Sequence, residues 1–138
     1  MTCMLDSIPE QLRHSLRRMV TENMTAGAIG NPTAVPVLGT PIVLGLFEMA
    51  AAQALLPFLD ASCLIVGLEA SLSHTSPTPV GLTVEVTADL QLRQGNKFFW
   101  TVSATDGQGI IARGTLTSAV IPQDALARRI QRKQASRS

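Results

Sequence analysis

The fold is decided by residues 40–57, whose sequence is TPIVLGLFEMAAAQALLP. This stretch begins with a threonine followed by a proline, which is typical of a helix start in which Thr40 is the N-cap and Pro41 the first helical residue. Apolar side chains then occupy every face until Pro57 ends the helix, a pattern that indicates burial on all sides. We therefore predict a long central helix over about 41–56.

The residues after this helix have strand character, so the helix must be buried against a sheet. High β-propensity and alternation of apolar with polar residues predict strands over 62–71, 81–93, 96–105 and 109–121. An Asp-Gly pair at 106–107 is a hairpin signal between the last two. The pattern predicts an α+β fold in which an antiparallel meander of at least four strands curls around the helix.

The remaining segments complete a single domain. Residues 1–18 are a polar lead-in with one or two helical turns, residues 19–26 have weak strand character, and residues 26–39 are an irregular connection rich in Gly and Pro. The predicted domain spans residues 1–121, and residues 122–138 form a basic tail that is helical and then frayed. A chain of 138 residues has room for one ordinary domain.

The composition restricts the classes of function. Apolar residues make up 46% of the chain and charged residues 15%, which argues against a disordered protein and against a nucleic-acid binder with a globally basic surface. With so few charges available, we expect part of the apolar surface to be buried against a second copy. We predict a homodimer, with a tetramer as the alternative.

The net charge of +1 conceals an asymmetry. Residues 1–127 carry six basic and ten acidic groups, a balance of −4, while residues 128–138 carry five basic groups. Two interpretations of this tail remain open. It contacts an anion such as the phosphates of a ligand, or it is a solvated, frayed helix.

The cysteines and the N-terminus indicate a soluble, cytoplasmic protein without a membrane partner. Cys3 and Cys63 have no CxxC partner, so we expect both to be reduced thiols. Two histidines are too few for a zinc site, and we expect no metal. The N-terminus has no signal-peptide pattern, and the apolar stretch 42–56 is shorter than a membrane span.

Glu48 is the strongest functional signal, because it lies in the middle of an otherwise apolar helix. Burying an unpaired carboxylate is costly, so we expect Glu48 to be partnered or to line a cavity. The alternative is a polar position facing a solvent notch or a dimer seam.

Three further residues are weaker candidates. His74 lies in a polar segment between strands and becomes a useful acid/base group only if Glu48 is near it. Thr40 is explained as an N-cap, although the N–H groups of a helix N-terminus also suit a developing oxyanion. Gly45 costs about 1 kcal/mol relative to alanine inside a helix, which suggests that a ligand or a partner helix approaches the backbone there.

Three groups of residues resemble the fluoroacetyl-CoA thioesterase-like family. They are residues 40–50 (TPIVLGLFEMA), Gly67 together with Ser73-His74-Thr75, and residues 79–90 (PVGLTVEVTADL). The seven residues between Thr40 and Glu48, and the 25 between Glu48 and His74, agree with the family's pattern. The resemblance covers roughly residues 36–121 and implies the hotdog fold, an antiparallel sheet wrapped around a long central helix.

The resemblance also implies hydrolysis of an acyl-CoA thioester in a cleft between two subunits, with no cofactor beyond the CoA of the substrate. By position, Glu48 attacks the thioester carbonyl or activates water, His74 acts as acid/base, and Thr40 orients or assists. Gly67 offers a backbone N–H to the thioester oxygen, and we include Gly45 as a second substrate-binding residue. The segment 26–39 forms part of a lid over the acyl pocket.

Thr40 and Glu48 are eight residues apart, which corresponds to about 12 Å of helical rise. They can share one site only if the helix start is irregular or if the partner subunit supplies one of them.

The substrate and the alternatives follow from the same comparison. The fluoroacetyl-specific member of the family has aromatic residues before the helix, whereas residues 26–39 contain none. We therefore predict a general short or medium acyl-CoA thioesterase. The alternative is a non-catalytic hotdog module that binds acyl-CoA or another small ligand. A hydratase or dehydratase of enoyl thioesters ranks below both, because the Asp/His pair that it requires is absent near the helix.

Overall fold

The structure is a computed structural model that describes residues 3–31 and 35–136. Its elements in chain order are β1 (Arg13–Met19), α1 (Thr40–Leu55), β2 (Cys63–His74), β3 (Thr83–Gln94), β4 (Lys97–Thr105), β5 (Ile110–Pro122) and α2 (Gln123–Ser136), with short 3-10 turns at Glu22–Met24 and Leu56–Phe58. The five strands form one antiparallel sheet in the order β1-β3-β4-β5-β2. The predicted α+β fold is confirmed, and the ends of β2 to β5 lie within three residues of the predicted ones.

The N-terminal part of the prediction is wrong. Strand β1 occupies the last six residues of the predicted polar lead-in and ends at Met19, whereas residues 20–26 of the predicted strand form a connection that contains the 3-10 segment. The reason is that β1 is an edge strand with a single buried residue, Leu16. Apart from Met19, its exposed side chains are polar or charged, and Arg17 pairs with Glu85 of β3 at 2.9 Å, so β1 shows no apolar alternation.

Helix α1 packs one side against the sheet and leaves the other side open. The residues that face the sheet are buried: Val43, Leu46, Phe47, Ala50, Ala51, Ala54 and Leu55. Pro41, Gly45, Glu48 and Met49 lie on the opposite side and are exposed. The prediction that α1 is buried on all sides is therefore wrong for a single chain, because a single sheet covers only one face of a helix. We call these four residues the open stripe of α1.

Helix α1 and its 3-10 extension, Thr40–Phe58, are long and apolar enough to cross a membrane by length and composition. The apolar stretch 42–56 considered in the sequence is shorter because it does not include the whole 3-10 extension. In the structure this segment is the core helix of the domain, with Phe47 and Leu55 fully buried.

A β-bulge in β2 decides which of its side chains face α1. Gly67 pairs with Ser118 and Glu69 with Thr117, so Leu68 is an extra residue. Side chains alternate along a strand, and Gly67 and His74, seven positions apart, would otherwise face opposite sides of the sheet. The extra residue, Leu68, shifts the alternation by one position. As a result, Gly67 and His74 both face the helix.

The expectation of two reduced thiols is also wrong. The Sγ atoms of Cys3 and Cys63 form a disulfide that spans 60 residues of sequence, with the Cα atoms 6.0 Å apart. The spacing along the chain gave no indication of this pairing, because the fold brings the N-terminal segment beside the first residue of β2. The cysteines therefore no longer support the predicted cytoplasmic location.

We predict that Gly114→Ala destabilises the domain by roughly 2 kcal/mol or more. A Cβ atom at this position of β5 would lie 2.0 Å from the carbonyl oxygen of Ser71 in β2. Because that oxygen belongs to the backbone, relief of the clash requires β2 to move. Urea unfolding followed by circular dichroism measures the change. Ser73→Ala, a small change at an exposed position of β2, is the control, and equal midpoints for the two variants would contradict the packing described.

Candidate active site

The N-terminus of α1 and the C-terminal end of β2 meet through two of the predicted site residues. The Oγ1 atom of Thr40 lies 2.8 Å from Nδ1 of His74, within hydrogen-bond distance. His74 is half-buried and is the last residue of β2 rather than a loop residue. The strand fixes its backbone, and the threonine hydroxyl fixes its ring.

Thr40 is free for this contact because it is not the N-cap of the helix. The cap is Gly39, whose carbonyl accepts hydrogen bonds from the N–H groups of Ile42 and Val43. A Cβ atom at Gly39 would lie 2.6 Å from Cδ1 of Ile29 and 3.2 Å from Cα of Ala26, so a side chain there would require Ile29 to shift. With Gly39 as the cap, the helix starts one residue earlier than predicted, and the Thr40 hydroxyl points to His74.

The second ring nitrogen of His74, Nε2, is unpaired among the described residues. It is buried and forms no hydrogen bond with any of them. Buried polar atoms are almost always paired, so the unpaired Nε2 marks a position where a further polar group is expected to bind. If the Thr40 hydroxyl donates to Nδ1, Nε2 carries a proton and is a donor; if Nδ1 donates, Nε2 is an acceptor and a base.

A cavity of about 530 Å³ opens beside this pair. Its walls come from the start of α1, from the end of β2 with the residues that follow it, and from the predicted lid segment. The described lining residues are Ala26, Ile29, Asn31, Val37, Leu38, Thr40, Pro41, His74, Thr75, Ser76 and Pro77. This set is mostly apolar and contains no lysine, arginine or aromatic side chain other than the imidazole, so the cavity suits an aliphatic group.

Residues that the sequence analysis missed hold the described part of the lid in place. Leu38 donates its N–H to the carbonyl of Thr78, and the fully buried hydroxyl of Thr78 donates to Asp106 at 3.2 Å. Bridges also connect Thr25 with Leu38 and Val37 with Pro79. A buried threonine in a Ser/Thr/Pro-rich segment gives no sequence signal of this kind, because its partner is 28 residues away.

Glu48 and Gly67 form a second group. A Cβ atom on Gly67 would lie 3.4 Å from Oε2 of Glu48, so the carboxylate lies directly over this glycine. Both line a smaller cavity of about 100 Å³ together with Ala51, Ala52, Ile65, Leu68, Glu69, Leu116, Thr117 and Ser118. Glu48 is exposed, contrary to the expected burial, and its carboxylate forms no hydrogen bond or ion pair with any described residue.

The structure therefore brings the predicted residues together as two pairs and not as one cluster. Thr40 and His74 line the larger cavity, and Glu48 and Gly67 line the smaller one. Gly45 lies between them on the open stripe of α1, and a Cβ atom there would contact nothing within 4 Å. No described neighbour explains the absence of a side chain at Gly45.

The described residues contain no group of three or more His, Cys, Asp or Glu side chains arranged to hold a metal ion. The chemistry available at this site is that of a carboxylate, an imidazole, a hydroxyl and backbone N–H groups, which together are suited to acyl transfer.

Comparison with known proteins places residues 20–124 in the family described as fluoroacetyl-CoA-specific thioesterase. The fluoroacetyl-CoA thioesterase of Streptantibioticus cattleyicolor is 37% identical over 97 residues, which is 70% of each chain. A crystal structure of a fluoroacetyl-CoA thioesterase superposes with a TM-score of 0.85 at 31% identity, covering 93% of this chain and 98% of that one. A hot-dog-like protein of Thermanaerovibrio acidaminovorans superposes with a TM-score of 0.86 at 20% identity, over 96% and 97% of the two chains. The predicted hotdog fold is confirmed.

We predict that the Thr40 hydroxyl selects the tautomer of His74. Because the chain has two histidines, ¹⁵N-correlated NMR of the imidazoles resolves each ring. Thr40→Val should remove the 2.8 Å contact and mix the His74 tautomers, while Thr40→Ser should preserve the wild-type pattern. The His14 ring, whose Nε2 contacts Gln53, is the internal control. An unchanged His74 signal in Thr40→Val would contradict the assigned role.

Proposed function

Because the chain belongs to the fluoroacetyl-CoA-specific thioesterase family and is a thioester hydrolase, we propose that it converts a short or medium acyl-CoA thioester to the free acid and CoA with Glu48 and His74 as catalytic residues. The observation that carries this proposal is the Thr40–His74 hydrogen bond at the wall of an apolar cavity, with Nε2 of His74 unpaired.

Two routes of hydrolysis are consistent with a carboxylate in this position. As a nucleophile, Glu48 adds to the thioester carbonyl and expels CoA thiolate, and water then hydrolyses the resulting anhydride. As a general base, Glu48 takes a proton from water while the hydroxide oxygen adds to the carbonyl. In both routes His74 protonates the departing sulfur from Nε2 and regains a proton from the attacking water, directly or through Glu48, while the Gly67 N–H stabilises the oxyanion.

We further propose that the protein acts as a homodimer whose site combines Thr40 and His74 of one subunit with Glu48 and Gly67 of the other. This arrangement is supported by the assignment of the two pairs to separate cavities, and by about 12 Å of helical rise between Thr40 and Glu48. Pairing of the two β2 edges about a two-fold axis midway between Gly67 and His74 would place Gly67 of one strand opposite His74 of the other.

The proposed dimer would cover an exposed apolar side chain at the β2 edge. On the described surface, β2 is an edge strand and Leu68 is 48% exposed. Exposed apolar edges are a liability unless a partner covers them. A second copy paired through β2 would cover Leu68, and a helix of that copy would account for the open space at Gly45, where a Cβ atom would contact no described residue within 4 Å.

The proposed substrate range rests on the lining of the larger cavity. Six of its eleven described lining residues are aliphatic or proline (Ala26, Ile29, Val37, Leu38, Pro41 and Pro77), and these favour methyl and methylene groups through burial of apolar surface. The described lining contains no lysine, no arginine and no aromatic ring other than the His74 imidazole, so we propose a general short or medium acyl group.

We expect Glu48→Gln to lower kcat for acyl-CoA hydrolysis by about 10²-fold or more, because the amide is neither a nucleophile nor a base. A thiol-release assay across acyl lengths measures the effect. Glu85→Gln, which removes a carboxylate on β3 that pairs with Arg17, should leave turnover unchanged. Undiminished turnover in Glu48→Gln would overturn the catalytic assignment. Binding of CoA esters without hydrolysis by the wild-type protein would favour the non-catalytic alternative.

Mixing two inactive variants tests the shared site. In a heterodimer of Glu48→Gln and His74→Ala subunits, one of the two sites regains both residues. Random exchange makes about half of the dimers heterodimers, so total activity should return to about a quarter of the wild-type value. A site formed within one chain would stay inactive after mixing. Each variant mixed with itself is the control for refolding and exchange.

A further inference from the structure

Helix α2 presents a row of cations that the structure leaves exposed and largely unpaired. Arg128, Arg129, Arg132 and Lys133 are all exposed. Among the described residues, one of these four forms an ion pair, Arg128 with Asp124 at 3.3 Å. These charges belong to the +5 segment attached to a body with a balance of −4.

The cations of α2 lie partly opposite and partly beside its apolar residues. Leu126 and Ile130, four residues apart, share one face. Leu126 is half-buried, whereas Ile130 is 47% exposed. Arg128 and Arg132, also four apart, lie on another face. Arg129, three positions from both Leu126 and Arg132, lies between the two faces, and Lys133, seven positions after Leu126, lies on the apolar side. We call Arg128, Arg129 and Arg132 the basic face of α2, and all three are exposed.

The start of α2 is fixed at the end of β2 that lies farthest from His74. The N–H of Gln123 donates to the carbonyl of Ser62 at 2.8 Å, and Pro122 pairs with Cys63. Strand β2 has 12 residues, so roughly 36 Å separate its two ends. In the dimer proposed above the two β2 strands are antiparallel, which brings the start of one α2 close to the His74 end of the partner strand.

The substrate needs cations that the two cavities do not provide. A CoA thioester carries a diphosphate and a 3′-phosphate at the end remote from the thioester. Neither the cavity at Thr40 and His74 nor the cavity at Glu48 has a lysine or arginine in its described lining. The guanidinium group of arginine binds phosphate through paired hydrogen bonds. Three arginines, Arg128, Arg129 and Arg132, lie on the basic face of α2.

We propose that the basic face of α2 binds the phosphates of the CoA moiety whose thioester lies in the partner subunit's cavity. This inference rests on the proposed function and on its two-subunit site. It gives the tail a role in substrate binding, with no part in bond cleavage. It also connects the charge asymmetry of the chain to an anionic ligand.

The first test compares substrates with and without the phosphates. Arg129→Gln/Arg132→Gln should raise KM for an acyl-CoA about tenfold with kcat little changed, and should leave KM for the matching acyl-pantetheine unchanged, because the pantetheine thioester lacks all three phosphates. Arg13→Gln/Arg17→Gln removes two exposed arginines from β1 and should change neither constant. Equal effects on both substrates, or no effect on either, would overturn the proposal.

Calorimetric titration with free CoA measures the affinity of α2 variants for the CoA moiety without any hydrolysis. Weaker CoA binding by Arg129→Gln/Arg132→Gln than by the β1 control supports the proposal even if the thioesterase assignment fails. Equal CoA affinity overturns it even if hydrolysis is intact. Loss of binding to anionic phosphatidylserine vesicles, with no change in CoA affinity or KM, would also overturn it and would assign α2 to a membrane surface.

Heterodimers isolated with two affinity tags test whether the helix acts on the partner's site. In both, one chain carries His74→Ala, so a single active site remains. With the arginine substitutions on the chain that retains His74, KM should be that of the wild type; with the substitutions on the His74→Ala chain, KM should rise. The opposite pattern would show that α2 serves its own chain and would overturn the arrangement.

Discussion

The packing of α1 against one face of the sheet is the constraint on which the rest of the structure depends. Val43, Phe47, Ala50 and Ala54 are all buried on this side, and each large side chain buried in this way contributes roughly 1.5–3 kcal/mol. Since a sheet can cover only one side of a helix, the same packing leaves the open stripe of α1 uncovered. It also fixes Thr40 at one end of the site and Glu48 two turns further along.

The bulge at Leu68 determines which side chains of β2 meet α1. Seven positions separate Gly67 from His74, and a regular strand would turn one of them away from α1. With one extra residue, Gly67 receives the Glu48 carboxylate and His74 meets Thr40. Bulges are common beside active sites because they redirect side chains without breaking the sheet. Glu48 and His74 nevertheless line separate cavities, and in the proposed dimer a second subunit would unite them.

The composition has a different meaning once the fold is known. Glu48 was conspicuous because a lone charge in an apolar helix suggested a buried carboxylate. In a single chain it is exposed, and the apolar residues around it belong to a surface that the proposed dimer covers. Similarly, the near-zero net charge is the sum of an acidic body and a basic helix that the structure shows as separate elements. In the first case the sequence of one helix did not show which of its faces is covered. In the second case the net charge did not show that the acidic and basic residues lie in different elements.

Much of the fold follows from the sequence alone, because helix starts, apolar alternation and turn residues are local properties. Thr40-Pro41 located α1, and alternation with Asp106-Gly107 located β3 to β5. Local patterns did not reveal β1, in which Leu16 and Met19 are the only apolar side chains, or the pairing of Cys3 with Cys63 across 60 residues. The candidates Glu48, His74, Thr40 and Gly67 also came from the sequence and its resemblance to a family. Only the tertiary structure decided that Gly39 caps the helix, that a bulge turns His74 toward it, and that the four candidates form two pairs, because each depends on contacts between segments far apart in the chain.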